Sequence, residues 1–297
     1  MNKLSICVIT MNRASQLREA LKSCLNCVLP DDTTFIIVDN GSTDDTEAVV
    51  KDLLSKSKYS FIYKKLEKNI GVGPGRNLCY NLSNSEYSYY LDDDAVIDET
   101  CYETFFSTAL SIFDNNNCVG SITSLIKDPL TSRDPIIAKS WKVDKYPCIL
   151  MYHGGSHFIR NNVYKKRNAL YDNIKYGSEE LSPSLYAIDN GYQNIYISDI
   201  SITHCPKINK WQKSSESLKK IIAIYCMNQY YIKKCILPIY FIPLVYLAYK
   251  IRIIKYFRDY HLPYSDSCDL TTEITLKNRI KLSTTLKLLL QFGLKVF

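Results

Sequence analysis

The first two hundred residues alternate short apolar runs with segments of helical periodicity, and this alternation constrains the fold more than any other feature. The run KLSICVIT (3–10) suits a buried strand, and ASQLREALKSCLNCVL (14–29) spaces its apolar residues as an amphipathic helix. The run TTFIIVD (33–39) predicts the next strand, and STDDTEAVVKDLLSKS (42–57) begins with Ser, Thr and Asp residues that cap helices. The chain therefore begins with two strand–helix units.

The same alternation continues to about residue 125. The further predicted elements are a strand at 59–65, a glycine-rich loop at 69–77, a helix near 75–83, a strand at 86–91, a helix over roughly 98–114 and a strand in NCVGSITSL. Strands and helices that alternate in this way form a mainly parallel sheet covered by helices. The sequence therefore predicts the α/β class, with a Rossmann-like, mainly parallel sheet flanked by helices.

Four polar segments follow the first four predicted strands, each at the carboxyl end of its strand. They are residues 10–13, 39–42, 69–77 and 92–94. In open parallel sheets, ligands bind in the crevice outside the carboxyl ends of the strands. We therefore expect the four segments to line one cleft.

Three consecutive carboxylates, Asp92, Asp93 and Asp94, follow the β-prone run EYSYYL. Their mutual repulsion is unfavourable for folding unless something compensates for it. Carboxylate oxygens are hard ligands for Mg²⁺ or Mn²⁺, and such ions in turn bind substrate phosphates. The triplet indicates a cation site, and the alternative is a solvated acidic turn.

The glycine-rich segment NIGVGPGRN does not match a dinucleotide or P-loop motif. Arg76 stands where G-x-G-x-x-G needs its third glycine, the segment follows the third strand, and no Gly-Lys-Ser/Thr comes after it. Backbone donors at a helix start, together with Arg76, would hold a phosphate or a base. The alternative is an ordinary turn before a helix, and DNGSTDDT after the second strand has a similar alternative as an Asx turn and cap.

Taken in order and spacing, SICVITMNR, IIVDNGSTDDT, NIGVGPGRN and YYLDDDA resemble glycosyltransferase family 2, whose catalytic domain has the GT-A fold. The resemblance covers roughly residues 3–204. It implies that Asp39 hydrogen-bonds the donor nucleobase and that Arg76 helps to hold the base or the diphosphate. The donor-nucleotide residues implied in this way are Thr10, Asn12, Arg13, Asp39, Asn69, Gly71, Arg76, Asp92 and Asp93.

The resemblance also assigns the metal ligands and an acceptor loop. Asp94 would coordinate a divalent cation, Mn²⁺ or Mg²⁺, directly, and Asp92 would contact the ribose or metal-bound water. His204 lies where many GT-A enzymes place a third metal or diphosphate contact, with a surface histidine as the alternative. In HGGSHFIRNNVY (153–164), Gly154 and Gly155 look like the family's acceptor-side loop.

The segment YGSEELSPSLYAIDNGYQ (176–193) resembles the family's acidic segment that ends in Gly-Tyr. The second acidic residue of that segment is the catalytic base in family members, which implies Glu180, with Glu179 as the alternative. The match is imperfect, because Ser182 and Tyr186 replace an acidic residue and an arginine. A charged first turn of a helix, favoured by the helix dipole, is the structural alternative.

These assignments imply a metal-dependent inverting glycosyltransferase that moves a sugar from a nucleotide-sugar, expected to be a UDP-sugar, to a hydroxyl of a glycan or lipid-linked acceptor. Cell-surface polysaccharide or lipid-linked glycan synthesis is the expected setting. A catalytically silent nucleotide-binding scaffold of the same fold is a second hypothesis. A sugar nucleotidyltransferase is a third, but the Gly-rich loop expected after its first strand is replaced by ITMNRAS.

The charge of the chain divides it into two regions. Residues 205–297 hold 16 Lys/Arg and 5 Asp/Glu, whereas residues 1–204 hold 21 and 25. We therefore predict a catalytic domain over 1–205 and a helical, basic and apolar C-terminal extension over 206–297. Such an extension suits an anionic membrane surface, and the alternative is an amphipathic pair packed on the catalytic domain or on a second subunit of a homo-oligomer. The run 233–258 is too short and too interrupted by prolines for a transmembrane helix.

The cysteines indicate where in the cell the protein is expected to function. The 11 cysteines are scattered and mostly lie in apolar stretches, with no secretory signal before them, so we expect reduced thiols and a cytoplasmic protein, peripheral on the inner face of the membrane. Cys24 and Cys27 have redox-motif spacing but helical periodicity, which favours core packing. No recognised motif supports nucleic acid as a partner for the basic charge.

Overall fold

The computed structural model describes residues 2–129, 134–167, 170, 171, 174, 176–205, 215–257 and 279–297. The strands are β1 (Asn2–Thr10), β2 (Thr33–Asp39), β3 (Ser60–Lys65), β4 (Ser85–Asp92), β5 (Ala95–Ile97), β6 (Val119–Lys127), β7 (Ile137–Val143), β8 (Tyr146–Ile149), β9 (Ser156–Arg160) and β10 (Gln193–His204). The helices are α1 (Ala14–Leu25), α2 (Thr46–Leu54), α3 (Val72–Leu82), α4 (Phe105–Asn115), α5 (Leu181–Asp189), α6 (Ser215–Ile236), α7 (Ile242–Phe257) and α8 (Leu282–Phe292).

The strands form a mixed sheet in the order β3-β2-β1-β4-β9-β6-β10-β8-β7, and β5 pairs with β10. The first four strands are parallel to one another, as the alternation predicts. β9 runs antiparallel between β4 and β6, and β6 pairs with β10 in parallel. The α/β sheet flanked by helices is therefore confirmed, with antiparallel strands in its second half.

Apolar residues cover both faces of the sheet. Along β1, Leu4, Ile6 and Val8 join one buried cluster, while Cys7 joins a second cluster on the other side. This alternation follows from the two-residue period of a strand. Cys24 and Cys27 are both buried in the first cluster, so the core-packing prediction for them is confirmed. All cysteines in the described parts of the chain are free thiols.

Two local predictions were wrong. The glycine-rich loop predicted over 69–77 extends too far, because α3 begins at Val72, three residues before the helix predicted near 75–83, and so contains Gly73 and Gly75. Residues 156–160 do not belong to an acceptor loop but form β9, a central strand. The helix predicted over 98–114 divides into a short 3₁₀ turn at 99–101 and α4.

The C-terminal helices pack on the rest of the chain. The α8 side chain of Gln291 accepts hydrogen bonds from the backbone N–H groups of Ser140 and Trp141 on β7. Asp189, at the end of α5, accepts bonds from the Lys281 backbone and the Thr284 hydroxyl. Among the described helices, none combines the length and the apolar character that crossing a membrane requires.

Candidate active site

A large cleft opens at the edge of the sheet where β1 to β4 end. The parallel register brings those ends together, because Thr10 lies opposite Asp39 and Ile9 lies opposite Asp92. The cleft has a volume of about 1120 Å³, which is ample for a small-molecule site. Its lining includes Thr10, Met11, Arg13, Asn40, Asn69, Gly71, Arg76, Asp92, Asp93, Asp94, Gly154, Gly155, Glu179, Glu180 and His204.

The aspartate triplet occupies a tight turn between two strands. β4 ends at Asp92, and β5 begins at Ala95, directly after Asp94. β5 pairs antiparallel with the end of β10, and His204 is the residue opposite Ala95. The pairing of β5 thus brings a histidine from the last strand of the sheet to the triplet.

Arg13 forms ion pairs with two of the three carboxylates. Its Nη1 lies 2.9 Å from Asp93 Oδ1 and 2.6 Å from Asp94 Oδ2. Burial raises the pKa of Asp93 to about 6, although the Arg13 charge opposes the rise. Burial also acts to raise the pKa of Asp94, but the hydrogen bond from His204 and the Arg13 charge outweigh it and leave that pKa below its usual value. Arg13 therefore relieves part of the repulsion within the triplet.

Asp92, Asp94 and His204 form a cluster with the composition of a cation site. One potential ligand atom from each lies within 4.8 Å of the others. His204 Nε2 lies 3.2 Å from Asp94 Oδ1, and His204 Nδ1 lies 3.0 Å from Asp128 Oδ2. A carboxylate at Nδ1 favours the tautomer that leaves Nε2 as the ligating nitrogen. Two carboxylates and one imidazole therefore fit a divalent cation such as Mn²⁺.

Arg76 connects the two groups of carboxylates across the cleft. Its Nη1 donates to Glu179 Oε1 and to Glu180 Oε1, each at 2.8 Å. Its Nη2 donates to Asp92 Oδ1 at 3.1 Å and to the Gly154 carbonyl at 2.9 Å. The guanidinium is almost fully buried, and the surrounding carboxylates raise its pKa against the opposing effect of burial. The buried guanidinium of Arg76 thus fixes the distance between the candidate base and the candidate metal site.

Glu179 and Glu180 precede α5 on a segment with unusual backbone geometry. Gly177 and Ser178 have φ angles of +86° and +69°, in the left-handed region. Glu180 occupies the N-cap of α5. Burial raises the pKa of Glu179 to about 8, and the nearby Glu180 charge adds to the rise. The raised pKa favours the protonated form of Glu179, and both glutamates line the cleft.

Gly154 is a glycine because Glu180 occupies the space of a side chain. A Cβ atom on Gly154 would lie 1.9 Å from Glu180 Oε1 and 2.8 Å from Arg76 Nη2. The backbone of the predicted acceptor loop thus touches the candidate base directly. The neighbouring Gly155 accepts a hydrogen bond from the Asp92 backbone, so both glycines lie between the two groups of carboxylates.

Two predicted nucleotide residues, Asp39 and Asn12, are not among the residues that line the cleft. Asp39 is fully buried, and its Oδ1 and Oδ2 accept hydrogen bonds from the Ser42 backbone and the Tyr63 hydroxyl. Asn12 accepts a bond from the Thr43 backbone at 2.8 Å. Both side chains hold the loop after β2. Thr10, Arg13, Asn69, Gly71, Arg76, Asp92 and Asp93, by contrast, line the cleft.

Several lining or supporting residues escaped the sequence analysis. Asp128 follows β6 directly, so its position at a strand's carboxyl end was a signal that could have found it. Asn40 follows Asp39 and lines the cleft in its place. Tyr176 and Tyr225 also line the cleft, and Tyr225 belongs to α6, which the sequence placed in a separate region. Nothing in the pattern of α6 indicated this contact.

A model of the family described as Glycosyl transferase family 2 matches residues 5–167 of the chain, more than half of its length. Asp39, Arg76 and the aspartate triplet fall inside the match. Glu179, Glu180 and His204 lie beyond its end.

One curated relative is poly(ribitol-phosphate) β-N-acetylglucosaminyltransferase TarP from Staphylococcus aureus (strain N315). It is 30% identical over 109 residues, which cover 36% of this chain and 33% of that protein. The chain therefore matches about a third of the length of this relative.

Two solved structures resemble the whole fold. TarS 1–349 from S. aureus, in complex with UDP-GlcNAc, superposes with a TM-score of 0.61 at 17% identity, covering 85% of this chain and 73% of that one. The mannosyltransferase PcManGT from Pyrobaculum calidifontis, in complex with GDP-Man and Mn²⁺, gives a TM-score of 0.63 at 15% identity, covering 88% and 76%. These likenesses confirm the predicted GT-A type of fold.

Proposed function

Because this chain belongs to glycosyl transferase family 2, we propose that it transfers a sugar from a nucleotide-sugar donor to an acceptor hydroxyl in a metal-dependent, inverting reaction. One observation carries this proposal. The Asp92, Asp94 and His204 cluster and the Glu179 and Glu180 pair lie in one cleft, linked by Arg76. Donor, acceptor and base can therefore meet there. A UDP-sugar donor is supported by the ligand of TarS, and Mn²⁺ by that of PcManGT.

In the proposed reaction, the acceptor oxygen bonds to the anomeric carbon while the bond from that carbon to the diphosphate breaks. Glu180 takes the proton of the attacking hydroxyl, and the nucleoside diphosphate leaves with the bonding electrons. A divalent cation held by Asp92, Asp94 and His204 would neutralise the charge that develops on the diphosphate. A single displacement of this kind inverts the anomeric centre.

Arg76 and Glu179 prepare Glu180 for this role. Arg76 holds Glu180 Oε1 at 2.8 Å and so fixes its carboxylate beside the Gly154 backbone. Because its pKa is raised to about 8, Glu179 favours its protonated form at neutral pH and adds little negative charge beside Glu180. A carboxylate that is held in place in this way suits general base catalysis, which contributes ~10²–10⁴-fold.

We further propose that α7 docks on an anionic membrane and so brings the cleft to a glycan or lipid-linked acceptor at the cytoplasmic face. Four large apolar residues of α7 lie exposed along one stripe: Leu244, Leu247, Ile251 and Ile254. Their spacing of three and four residues places them on one face of the helix.

The charge of the C-terminal helices supports an anionic membrane, rather than a second copy of the chain, as the partner of this face. Residues 242–257 and 279–297 contain seven Lys or Arg residues and no acidic residue. Two copies that met through α7 would bring like charges together, whereas anionic lipid headgroups complement them. We therefore propose the extension over 206–297 as a membrane-docking element. A homo-oligomer formed through α7 is the alternative.

The proposal is tested with a panel of UDP- and GDP-sugars and Mn²⁺ or Mg²⁺, measuring release of nucleoside diphosphate. We expect release with at least one donor, loss of release with EDTA, and a product of inverted anomeric configuration by NMR. Asp92→Asn should lose activity, whereas Asp52→Asn, an exposed ion-paired carboxylate on α2, should keep it. Binding without any turnover would support the silent scaffold, and pyrophosphate release from a nucleoside triphosphate would support the nucleotidyltransferase.

A further inference from the structure

Two tyrosines form an aromatic corner in the cleft beside the candidate base. Tyr176 lies on the segment before α5, and Tyr225 lies on α6, yet both line the same cleft as Glu179 and Glu180. Their ring centroids are 5.9 Å apart at an interplanar angle of 72°. Tyr176 is 50% exposed and Tyr225 is 38% exposed. Ligand pockets are lined mainly by apolar and aromatic side chains beside a few placed polar groups, which is the arrangement found here.

Hydrogen bonds and a glycine contact between α6 and the segment before α5 hold the two tyrosines together. The buried amide of Asn228, one turn after Tyr225 on α6, donates to the carbonyls of Tyr176 and Gly177, each at 2.9 Å. A Cβ atom on Gly177 would lie 3.1 Å from two ring atoms of Tyr225. Gly177 therefore lets the Tyr225 ring lie directly against the backbone, and α6 holds both rings in fixed positions.

The same segment leads directly from the aromatic corner to the base. Only Gly177 and Ser178 separate Tyr176 from Glu179, and both have left-handed φ angles that turn the chain toward the cleft. Burial raises the pKa of the Tyr225 hydroxyl, and the nearby Tyr176, Glu180 and Glu179 add to the rise. A ligand resting on the corner would therefore place its rim beside Glu180.

We propose that Tyr176 and Tyr225 form an acceptor subsite that binds the face of a pyranose ring. A pyranose has a face of C–H groups and a rim of hydroxyls, so aromatic rings can cover the face while Glu180 receives the proton from one hydroxyl. A phosphate-bearing polyol chain has no such face, and its charge would be repelled by the nearby carboxylates. This inference rests on the proposed function, because it names the acceptor of that reaction.

The test uses the full chain with methyl pyranosides and, for comparison, ribitol phosphate as acceptors. Donor hydrolysis in the absence of acceptor is measured beside transfer. Tyr225→Ala should raise the acceptor KM about tenfold while donor hydrolysis stays within about twofold, since a loss of about 1.4 kcal/mol of stacking corresponds to a factor of ten. Tyr225→Phe keeps the ring and should keep the acceptor KM. An unchanged KM in Tyr225→Ala, or efficient transfer to ribitol phosphate only, would overturn the subsite.

A second readout does not depend on turnover. Saturation-transfer NMR with methyl pyranosides and UDP should show contact from protein to the ring C–H protons in the wild type and in Tyr225→Phe, but not in Tyr225→Ala. If Tyr225→Ala fails to fold, Tyr176→Ala serves in its place, because Tyr176 is the more exposed ring. Absence of sugar contact in the wild type overturns the subsite. Absence of donor hydrolysis, with sugar contact retained, would instead overturn the proposed reaction.

Discussion

At the scale of single residues, the cleft depends on buried charges whose protonation differs from that in the unfolded chain. Glu179 is the clearest case, because burial and the Glu180 charge raise its pKa to about 8. The folded protein therefore holds a proton at pH values where the unfolded chain has released it. Stability from this group is complete below the ordinary carboxyl range and is lost as the pH rises toward about 8.

Glu179→Gln should therefore change the pH dependence of stability. Glutamine keeps the shape of the protonated side chain and has no proton to lose, so the wild type should lose stability relative to the variant between about pH 5 and pH 8. Melting temperatures of both proteins across this range measure the effect. Parallel curves would show that Glu179 does not titrate in this window.

Arg13 should compete with the divalent cation for Asp94. Its Nη1 lies 2.6 Å from Asp94 Oδ2, so a cation that binds this carboxylate must displace the guanidinium or share the oxygen with it. Arg13→Gln should bind Mn²⁺ more tightly, by roughly tenfold, when no donor is present. Calorimetric titration with Mn²⁺ alone measures this, with Arg18→Gln on the exposed face of α1 as the control. Equal or weaker Mn²⁺ binding in Arg13→Gln would contradict the competition.

Gly154 should tolerate no side chain, because its Cβ would lie 1.9 Å from Glu180 Oε1. Gly154→Ala should displace the Glu180 carboxylate and lower transfer by ~10²-fold, the value of a general base. Gly191→Ala is the matched control, since its φ of +88° strains an alanine but no atom lies within 4 Å of the new Cβ. It should lose stability and keep turnover per folded molecule. Equal turnover in both variants would show that Glu180 does not need its present position.

At the scale of secondary-structure elements, α7 presents the exposed apolar face proposed to contact membrane. The double variant Leu247→Asp, Ile251→Asp should lose sedimentation with anionic vesicles of phosphatidylglycerol, because it adds negative charge to that face. Wild-type binding should weaken with salt, since each basic residue near an anionic surface contributes ~1 kcal/mol.

Val28→Asp is the matched control for the α7 variant. Val28 is 54% exposed, the same fraction as Leu247, but it lies in the segment between α1 and β2 and not on a C-terminal helix. It should leave vesicle binding unchanged. If the α7 variant instead converts a dimer into a monomer in light scattering while the wild type ignores vesicles, a second copy covers α7 and the membrane proposal fails.

At the scale of the whole molecule, sequence reasoning succeeded where the signal is local and failed where it depends on pairing. β1 and β2 were predicted because their runs are mostly apolar, and β3 and β4 because theirs are rich in aromatic residues that favour strands. Parallel strands then bring their carboxyl ends to one edge. The antiparallel insertion of β9 depends on pairing with distant strands, and no feature of SHFIR reveals it.

The site residues divide in the same way, into those with a local signal in the sequence and those placed by tertiary contacts. The aspartate triplet stands out by residue type, whereas Glu180 was implied by the resemblance of its segment to the family's acidic segment. Burial of Asp39 behind Tyr63 follows from the β2–β3 register, and the contribution of Tyr225 follows from how α6 packs on the segment before α5. Such tertiary contacts are not encoded in local periodicity, so the sequence did not indicate that α6 contributes a residue to the cleft.

The central claim is that Asp94 and Glu180 have separate tasks in one cleft. The most direct measurement is calorimetric titration with a nucleotide-sugar and Mn²⁺, combined with the single-turnover transfer rate, for wild type, Asp94→Asn and Glu180→Gln. We predict that Asp94→Asn weakens Mn²⁺ and donor binding together, whereas Glu180→Gln leaves donor affinity within a few-fold and lowers the transfer rate by ~10²-fold or more. Wild-type transfer by Glu180→Gln, or unchanged Mn²⁺ and donor binding by Asp94→Asn, would contradict the claim.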